Sequence, residues 1–199
     1  MTAASAQYPD IQRLDTFPKL LAYNAENWPQ EVALREKEYG VWNEVTWAGY
    51  QDMVERLALG MRELGVSAGD TVAILGSNRP EWVAMEVAAH ALGAMTLGVY
   101  ADSLGEEVAY LVSYAECVLV MCEDEEQADK VLSVAADCPS IRHIVYHDPR
   151  GMRKYDDARL ISQDALMERG EAVRRGDGGC YRALIAQRGG EEVAMLITT

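Results

Sequence analysis

The sequence predicts an α/β fold: a mainly parallel β-sheet with helices on both faces and an amino-terminal β-hairpin in front. Three observations carry this. Short apolar runs recur at 71–75, 94–99 and 117–121, with a further strand-like segment at 141–146, and a strand apolar on both sides belongs in a sheet covered on both faces. Segments of helical character separate these runs, which is the βα alternation of a parallel sheet. The other strand-like segments, 32–36 and 42–47, flank a Glu38-Tyr39-Gly40 turn and read as one antiparallel hairpin.

The elements follow in order. Thr16 caps a helix over 17–27, with Pro18 early enough for its missing amide to cost little; Trp28-Pro29 ends it. After the hairpin, Tyr50, Met53, Val54, Leu57, Ala58, Met61 and Leu64 recur at i, i+3, i+4, i+7 and mark the clearest helix. Thr46 is its cap, and Gly65 is its left-handed stop. Strand 71–75 leads to a helix over 80–92, capped by Ser77 or Asn78. That helix is apolar nearly all round, as a helix buried on most sides should be. Strand 94–99 precedes a helix over 104–115, capped by Ser103. Strand 117–121 precedes a helix over 123–136, whose four opening acids suit the positive end of the helix dipole. Strand 141–146, a helix over 162–174 and a last strand over 193–198 complete the chain. Residues 148–160 and 176–190 read as loops.

Composition excludes several function classes. The 199 residues are 49% hydrophobic and 25% charged, and net charge is −14. Phosphate contacts need clustered Lys and Arg. The densest basic spots, Arg150-Arg153-Lys154 and Arg174-Arg175, are too small, so nucleic acid is not an expected partner and the acidic surface reads as solubilising. No apolar run approaches the roughly 18 residues of a transmembrane segment, and the first residues lack the apolar core of a signal peptide. Cys117, Cys122, Cys138 and Cys180 form no CxxC pair and read as buried thiols of a reducing compartment, the cytoplasm.

No catalytic constellation emerges from the residues themselves. Gly76-Ser77-Asn78-Arg79-Pro80 joins a strand to a helix, where phosphates bind readily, but it has one glycine and Pro80 offers no amide; a structural turn and cap is the better reading. His143 and His147 lie about 13 Å apart along a strand, too far for one metal. His90, on an apolar helix, reads as an interior histidine. Glu123-Asp124-Glu125-Glu126 lacks calcium-ligand spacing and reads as a solvated helix start. No serine sits in a nucleophile elbow. The catalytic and metal residues expected are therefore none.

The order of landmarks is nevertheless specific. Val45-Thr46-Trp47 opens the amphipathic helix. Leu64-Gly65-Val66-Ser67-Ala68-Gly69-Asp70-Thr71-Val72 follows, then Asn78-Arg79-Pro80-Glu81-Trp82, Ala91-Leu92-Gly93-Ala94 and Gly98-Val99-Tyr100-Ala101-Asp102-Ser103. From about residue 17 to the end, this resembles the amino-terminal part of the AMP-forming acyl-CoA synthetases, the adenylate-forming ligase superfamily. Gly98-Val99-Tyr100 and residues 117–130 resemble its long-chain fatty acid–CoA ligase branch.

Residues 1–15 read as a flexible lead, and the resemblance implies a truncated AMP-binding domain over 16–199. It implies that the last strand runs into a Thr-Ser-Gly-Thr-Thr-Gly-x-Pro-Lys loop around the ATP phosphates. Thr199 would be the first residue of that loop and the one family site residue carried onto this chain. The parent is expected to convert a fatty acid and ATP to an acyl-adenylate and pyrophosphate, then to transfer the acyl group to coenzyme A. ATP, magnesium and coenzyme A are expected cofactors of the parent, with none bound to this chain, which is expected to be inactive alone. Its expected partners are the fatty acid, the rest of the AMP-binding domain, a mobile carboxy-terminal domain and, through uncovered apolar surface, a second copy. The expected location is the cytoplasm, peripheral to membrane in the parent. Two other readings stay open: a stand-alone flavodoxin-like binding or regulatory module, and the amino-terminal part of a fatty acyl-AMP ligase or carrier-protein-loading adenylation enzyme.

Overall fold

The computed structural model describes residues 9–198. Thr199 and residues 1–8 of the expected lead lie outside the described residues. Six parallel strands form one sheet in the order β7-β6-β5-β3-β4-β8, and β1 and β2 pair separately as an antiparallel hairpin. In chain order the elements are α1 (Phe17–Asn27), β1 (Val32–Glu38), β2 (Val41–Thr46), α2 (Trp47–Glu63), β3 (Thr71–Leu75), α3 (Pro80–Ala91), β4 (Met95–Val99) and α4 (Gly105–Tyr114). They continue with β5 (Cys117–Cys122), α5 (Glu125–Val134), β6 (His143–Tyr146), β7 (Leu160–Ser162), α6 (Gln163–Gly176), α7 (Cys180–Ala186) and β8 (Met195–Leu196). This is the α/β architecture the sequence predicts.

Alternation along the strands divides the core into two layers. Val72, Ile74, Leu119, Met121 and Val145 face one layer with α2, α3, α6 and α7. Ala73, Leu75, Val120, Cys122 and Ile144 face the other with α4 and α5. Period-two side chains on doubly covered strands make both faces apolar. The hairpin turns through Tyr39 (φ 48°) and Gly40 (φ 83°), two positive angles that match the twist of its strands. Thr46 caps α2 by accepting from the Gly49 amide at 3.1 Å, and Gly65 (φ 83°) follows its end.

Other expectations are corrected. Thr16 occupies the N-cap of α1, but its side chain makes no capping bond. The N-cap of α3 is Arg79 rather than Ser77 or Asn78: Pro80 takes the first helical position, so the cap falls on the residue before it. Leu104 rather than Ser103 precedes α4, and Glu107 accepts from the Leu104 amide at 2.8 Å. Residues 148–160 include a 3₁₀ turn at Met152–Lys154 and the start of β7. The stretch 176–190 contains α7, with Cys180, Tyr181 and Ile185 buried. The last strand covers two residues rather than six.

The thicker layer depends on two glycines. A Cβ at Gly170 of α6 would lie 1.8 Å from the Arg56 carbonyl oxygen of α2, and one at Gly60 of α2 would lie 2.3 Å from the Leu166 carbonyl oxygen of α6. The two backbones therefore touch, and nothing larger fits. Gly60→Ala or Gly170→Ala is expected to destabilise the protein by about 2 kcal/mol, the overpacking cost less the helix-propensity gain of alanine. Gly176→Ala, with nothing within 4 Å of its Cβ position, should stay within about 0.5 kcal/mol. Urea denaturation of the three variants checks this.

Candidate functional site

Ligands of open α/β sheets bind beyond the carboxyl ends of the strands, where neighbouring connections leave in opposite directions. Here that place is β3. Its chain continues into α3 in one layer, while its neighbours β4 and β5 continue into α4 and α5 in the other. A crevice is thereby set on each side of the β3 carboxyl end.

The crevice toward β5 is closed by Glu123. Oε2 accepts from the Ser77 amide at 2.6 Å and Oε1 from Arg79 Nε at 2.7 Å. The Glu123 amide continues the sheet by donating to the Leu75 carbonyl at 3.0 Å. Arg79 Nη1 reaches Glu36 of β1 at 2.7 Å, so the hairpin is bound to the same point. A Cβ at Gly76 would lie 2.8 Å from Glu123 Cβ, which requires glycine there. Only about 10 Å³ of free space remains, hardly one water. Glu123 is thus not a solvated helix start: its side chain is 18% exposed, and the cap of α5 is Asp124, which accepts from the Gln127 amide at 3.1 Å. Burial acts to raise the Glu123 pKa, but the Ser77 and Arg79 hydrogen bonds together outweigh it and hold it below its ordinary 4.5.

The crevice toward β4 and β8 is open. It encloses about 260 Å³ lined by Asn78, Trp82, Gly98, Tyr100, Leu196 and Ile197, among others, and none of the described residues lining it is charged. A Cβ at Gly98 would stand 3.1 Å from Trp82 Cζ2, so Gly98 lets the indole lie against β4. Tyr100 and Ile197 are 77% and 79% exposed at the rim. Thr198 also lines this crevice, and Thr199, the predicted site residue, lies just outside the described residues. The resemblance-derived loop Gly98-Tyr100 and the turn Gly76-Asn78 meet here. The wall supplied by β8 comes from residues nearly a hundred positions later, which local sequence gives no means of pairing with them.

These residues do not fit a phosphate or a magnesium ion. The Ser77 amide is taken by Glu123, and Arg79 is held between two carboxylates. Lys130 donates to the Ala101 carbonyl and pairs with Glu126. No cluster of three metal-ligating side chains occurs among the described residues. The arrangement offers apolar and aromatic walls with one side-chain amide.

Elsewhere, the predicted candidates are separated. The His143 ring hydrogen-bonds the Leu64 carbonyl at 3.1 Å, and His147 lies 4.0 Å from Glu81. His90 is interior. All four cysteines are buried and free; burial pushes the Cys117 thiol up to about 12 and raises Cys122 as well, the opposite of an activated nucleophile. Arg174 is spent on Asp52 and Glu171. No helix among the described residues is long and apolar enough to cross a membrane.

Glu123→Gln removes the charge while leaving an oxygen for the Ser77 amide, and should cost about 1–2 kcal/mol at pH 7. A carboxylate whose folded pKa is depressed stabilises the fold above its unfolded pKa and loses that contribution as pH falls through the folded value. The gap between wild type and variant should therefore begin to close near pH 4.5 and vanish below the folded pKa, as read by denaturation at successive pH values.

Comparison with known proteins identifies the fold. The model of the family described as "AMP-binding enzyme" matches residues 21–197. A long-chain-fatty-acid–CoA ligase of Mycobacterium bovis is 32% identical over 147 residues, covering 74% of this chain and 24% of the relative. One of Rattus norvegicus is 28% identical over 159 residues, covering 79% and 24%. The chain thus spans about a quarter of the length of the curated relatives it matches. Among solved structures, acetoacetyl-CoA synthetase from Streptomyces lividans superimposes with a TM-score of 0.68 at 22% identity, over 76% of this chain and 25% of that one. An anthranilate CoA ligase in complex with anthranoyl-AMP gives 0.66 at 18% identity, over 76% and 27%. A family model that runs from α1 through β8, over the whole parallel sheet, settles the family: the chain belongs to the AMP-binding enzymes.

Proposed function

We propose that this chain is the amino-terminal part of an AMP-forming ligase of long-chain fatty acids. In the whole protein, the fatty carboxylate attacks the α-phosphate of ATP and pyrophosphate leaves. The thiol of coenzyme A then takes the acyl group from the adenylate and AMP leaves. The observation that carries this reading is the uncharged crevice beside Trp82 and Gly98, on the edge of the sheet where this fold binds ligands. Its walls suit an acyl chain, while the polar groups next to it are already spent on one another. The likeness to two long-chain-fatty-acid–CoA ligases supports the substrate class.

In this reading residues 16–199 are part of the AMP-binding domain, and Thr199 opens the loop around the ATP phosphates. Magnesium and coenzyme A are held by residues beyond this sequence, and residues 1–199 alone do not turn over. The buried thiols suit a reducing cytoplasm, with peripheral contact to membrane where fatty acids partition. β8 pairs on one side with β4, and Met195 with the flanking Val193 and Ile197 is exposed. We assign that edge to docking of the rest of the domain, because an unpaired apolar edge strand invites pairing. The mobile carboxy-terminal domain closes over the carboxyl edge.

Pyrophosphate release by the whole ligase with ATP, magnesium, coenzyme A and palmitate is the direct test, with residues 1–199 expected to release none. Release that leaves acyl-adenylate unconsumed in the presence of coenzyme A would assign the protein to the fatty acyl-AMP ligases instead. Absence of release with any fatty acid would refute the substrate class. In the whole ligase, Gly98→Val should push Trp82 into the crevice and lower kcat/KM for palmitate about tenfold, a loss of ~1.4 kcal/mol, with a smaller loss for butyrate. Residues 1–199 should also self-associate through the β8 edge; light scattering showing a monomer at millimolar concentration would count against this.

A further inference from the structure

β8 enters the sheet on few hydrogen bonds of its own. It covers Met195 and Leu196, which pair with Thr96 and Leu97 of β4. Thr96 adds two bonds at the entry: its amide donates to the Ala194 carbonyl at 2.9 Å, and its hydroxyl donates to the same oxygen at 3.4 Å. A strand this short specifies its register weakly. A slip of one residue moves the chain by about 3.3 Å and turns every side chain to the other face. The chain before β8 has to set where the strand begins.

That chain is the loop over 187–192, and Arg188 is its centre. The guanidinium lies against the left-handed residue that ends α3: a Cβ at Gly93 (φ 74°) would stand 2.0 Å from Arg188 Nη1. Nη1 donates to the Leu92 carbonyl at 3.5 Å and lies 3.4 Å from Glu192, and the side chain is 15% exposed. From the other side, Lys19 Nζ of α1 donates to the Arg188 carbonyl at 2.7 Å. Lys19 also pairs with Asp15 at 2.8 Å, and Asp15 Oδ2 accepts from the Gly190 amide at 2.9 Å. The loop is thus tied through side chain, carbonyl and amide to α1 and α3, which the core holds in place through Leu21 and Met85 among others.

The clamp reaches the carboxyl edge through β8. Leu196, Ile197 and Thr198 line the crevice there, and in the reading proposed above Thr199 opens the loop around the ATP phosphates. We propose that Arg188, at the amino end of the sheet, is a positioning residue for ATP: by holding residues 187–192 on the end of α3 it sets the register of β8, and with it the place of the phosphate loop. The inference rests on that assignment of Thr199. The unpaired edge of β8 stays open to docking of the rest of the domain, which meets a strand already in register.

Calorimetry of the whole ligase with magnesium-ATP, together with amide hydrogen exchange over 94–99 and 193–199, tests this. Arg188→Met should weaken ATP binding about tenfold, within the loss of up to ~100-fold that a misplacement of about 1 Å causes. It should also speed exchange in both segments about tenfold, as a strand that opens more readily does. Lys19→Met frees the same loop from the α1 side and should do both to a smaller extent. In the double variant the combined loss of affinity should be less than the product of the two single losses, because both act on one element. Arg182→Met removes the same charge from an exposed position of the neighbouring α7 and should leave both readouts at wild-type values. Urea denaturation establishes that each variant is folded in the assay; if Arg188→Met is not, Lys19→Met carries the same two readouts. The proposal is overturned by wild-type ATP affinity in the clamp variants, by lost affinity without faster exchange in β8, by an equal loss in Arg182→Met, or by independent losses in the double variant. A whole ligase that binds ATP but releases no pyrophosphate with any fatty acid fails the substrate class and leaves this inference standing. A ligase active on palmitate whose clamp variants bind ATP as wild type does fails this inference alone.

Discussion

The carboxylate of Glu123 organises the carboxyl edge. With two oxygens it ties the end of β5 to the turn between β3 and α3, through the Ser77 amide and Arg79, and, through the other arm of Arg79, to the hairpin at Glu36. The pair is partly exposed, with side chains 37% and 18% accessible for Arg79 and Glu123, so its net contribution to stability is modest. Its larger effect is geometric. By filling the β3–β5 side it leaves the β3–β4–β8 side as the open crevice at the switch point, and it removes from that crevice the charges that would make an apolar guest unwelcome.

Close backbone approach is the second constraint, and it supports the first. Gly76 lets Glu123 come close enough to reach the Ser77 amide, and Gly98 lets Trp82 lie flat on β4. Below them, the contact of α2 with α6 at Gly60 and Gly170 draws one covering layer tightly together. In a close-packed interior a missing methyl group is as specific as a present one. The crevice is therefore bounded by strands and helices that have little room to shift, which suits a wall that must hold a guest in one register.

Features set by local pattern were legible in the sequence. The doubly apolar runs became the strands of the parallel sheet, the seven apolar residues from Tyr50 to Leu64 marked α2, and Thr46 capped it. Features that depend on distant partners were not. The four acids from Glu123 look alike in sequence, yet Glu123 is withdrawn from solvent by a partner 44 residues earlier, whereas Asp124 is the cap. α7 was hidden by Gly176-Asp177-Gly178-Gly179 in front of it, although Cys180, Tyr181, Leu184 and Ile185 recur at i, i+1, i+4, i+5 and gave a usable signal. β7 has three residues, too few for any periodicity. Of the crevice, the loops after β3 and β4 were visible as strand-to-helix turns, and Trp82 as a landmark of the resemblance on an apolar helix, but nothing local placed its indole against Gly98.

Both ends of the sheet hold buried polar atoms without a hydrogen-bond partner. At the carboxyl edge the Ser77 amide, the Arg79 guanidinium and both oxygens of Glu123 are engaged with one another, while Glu81 Oε2 beside them is buried without a hydrogen-bond partner. At the amino end, Thr16 and His90 each keep a buried polar atom unengaged. An unpartnered buried group costs about 1–3 kcal/mol, and nothing in the local packing recovers that. Valine and phenylalanine would fill the positions of Thr16 and His90 at no such cost.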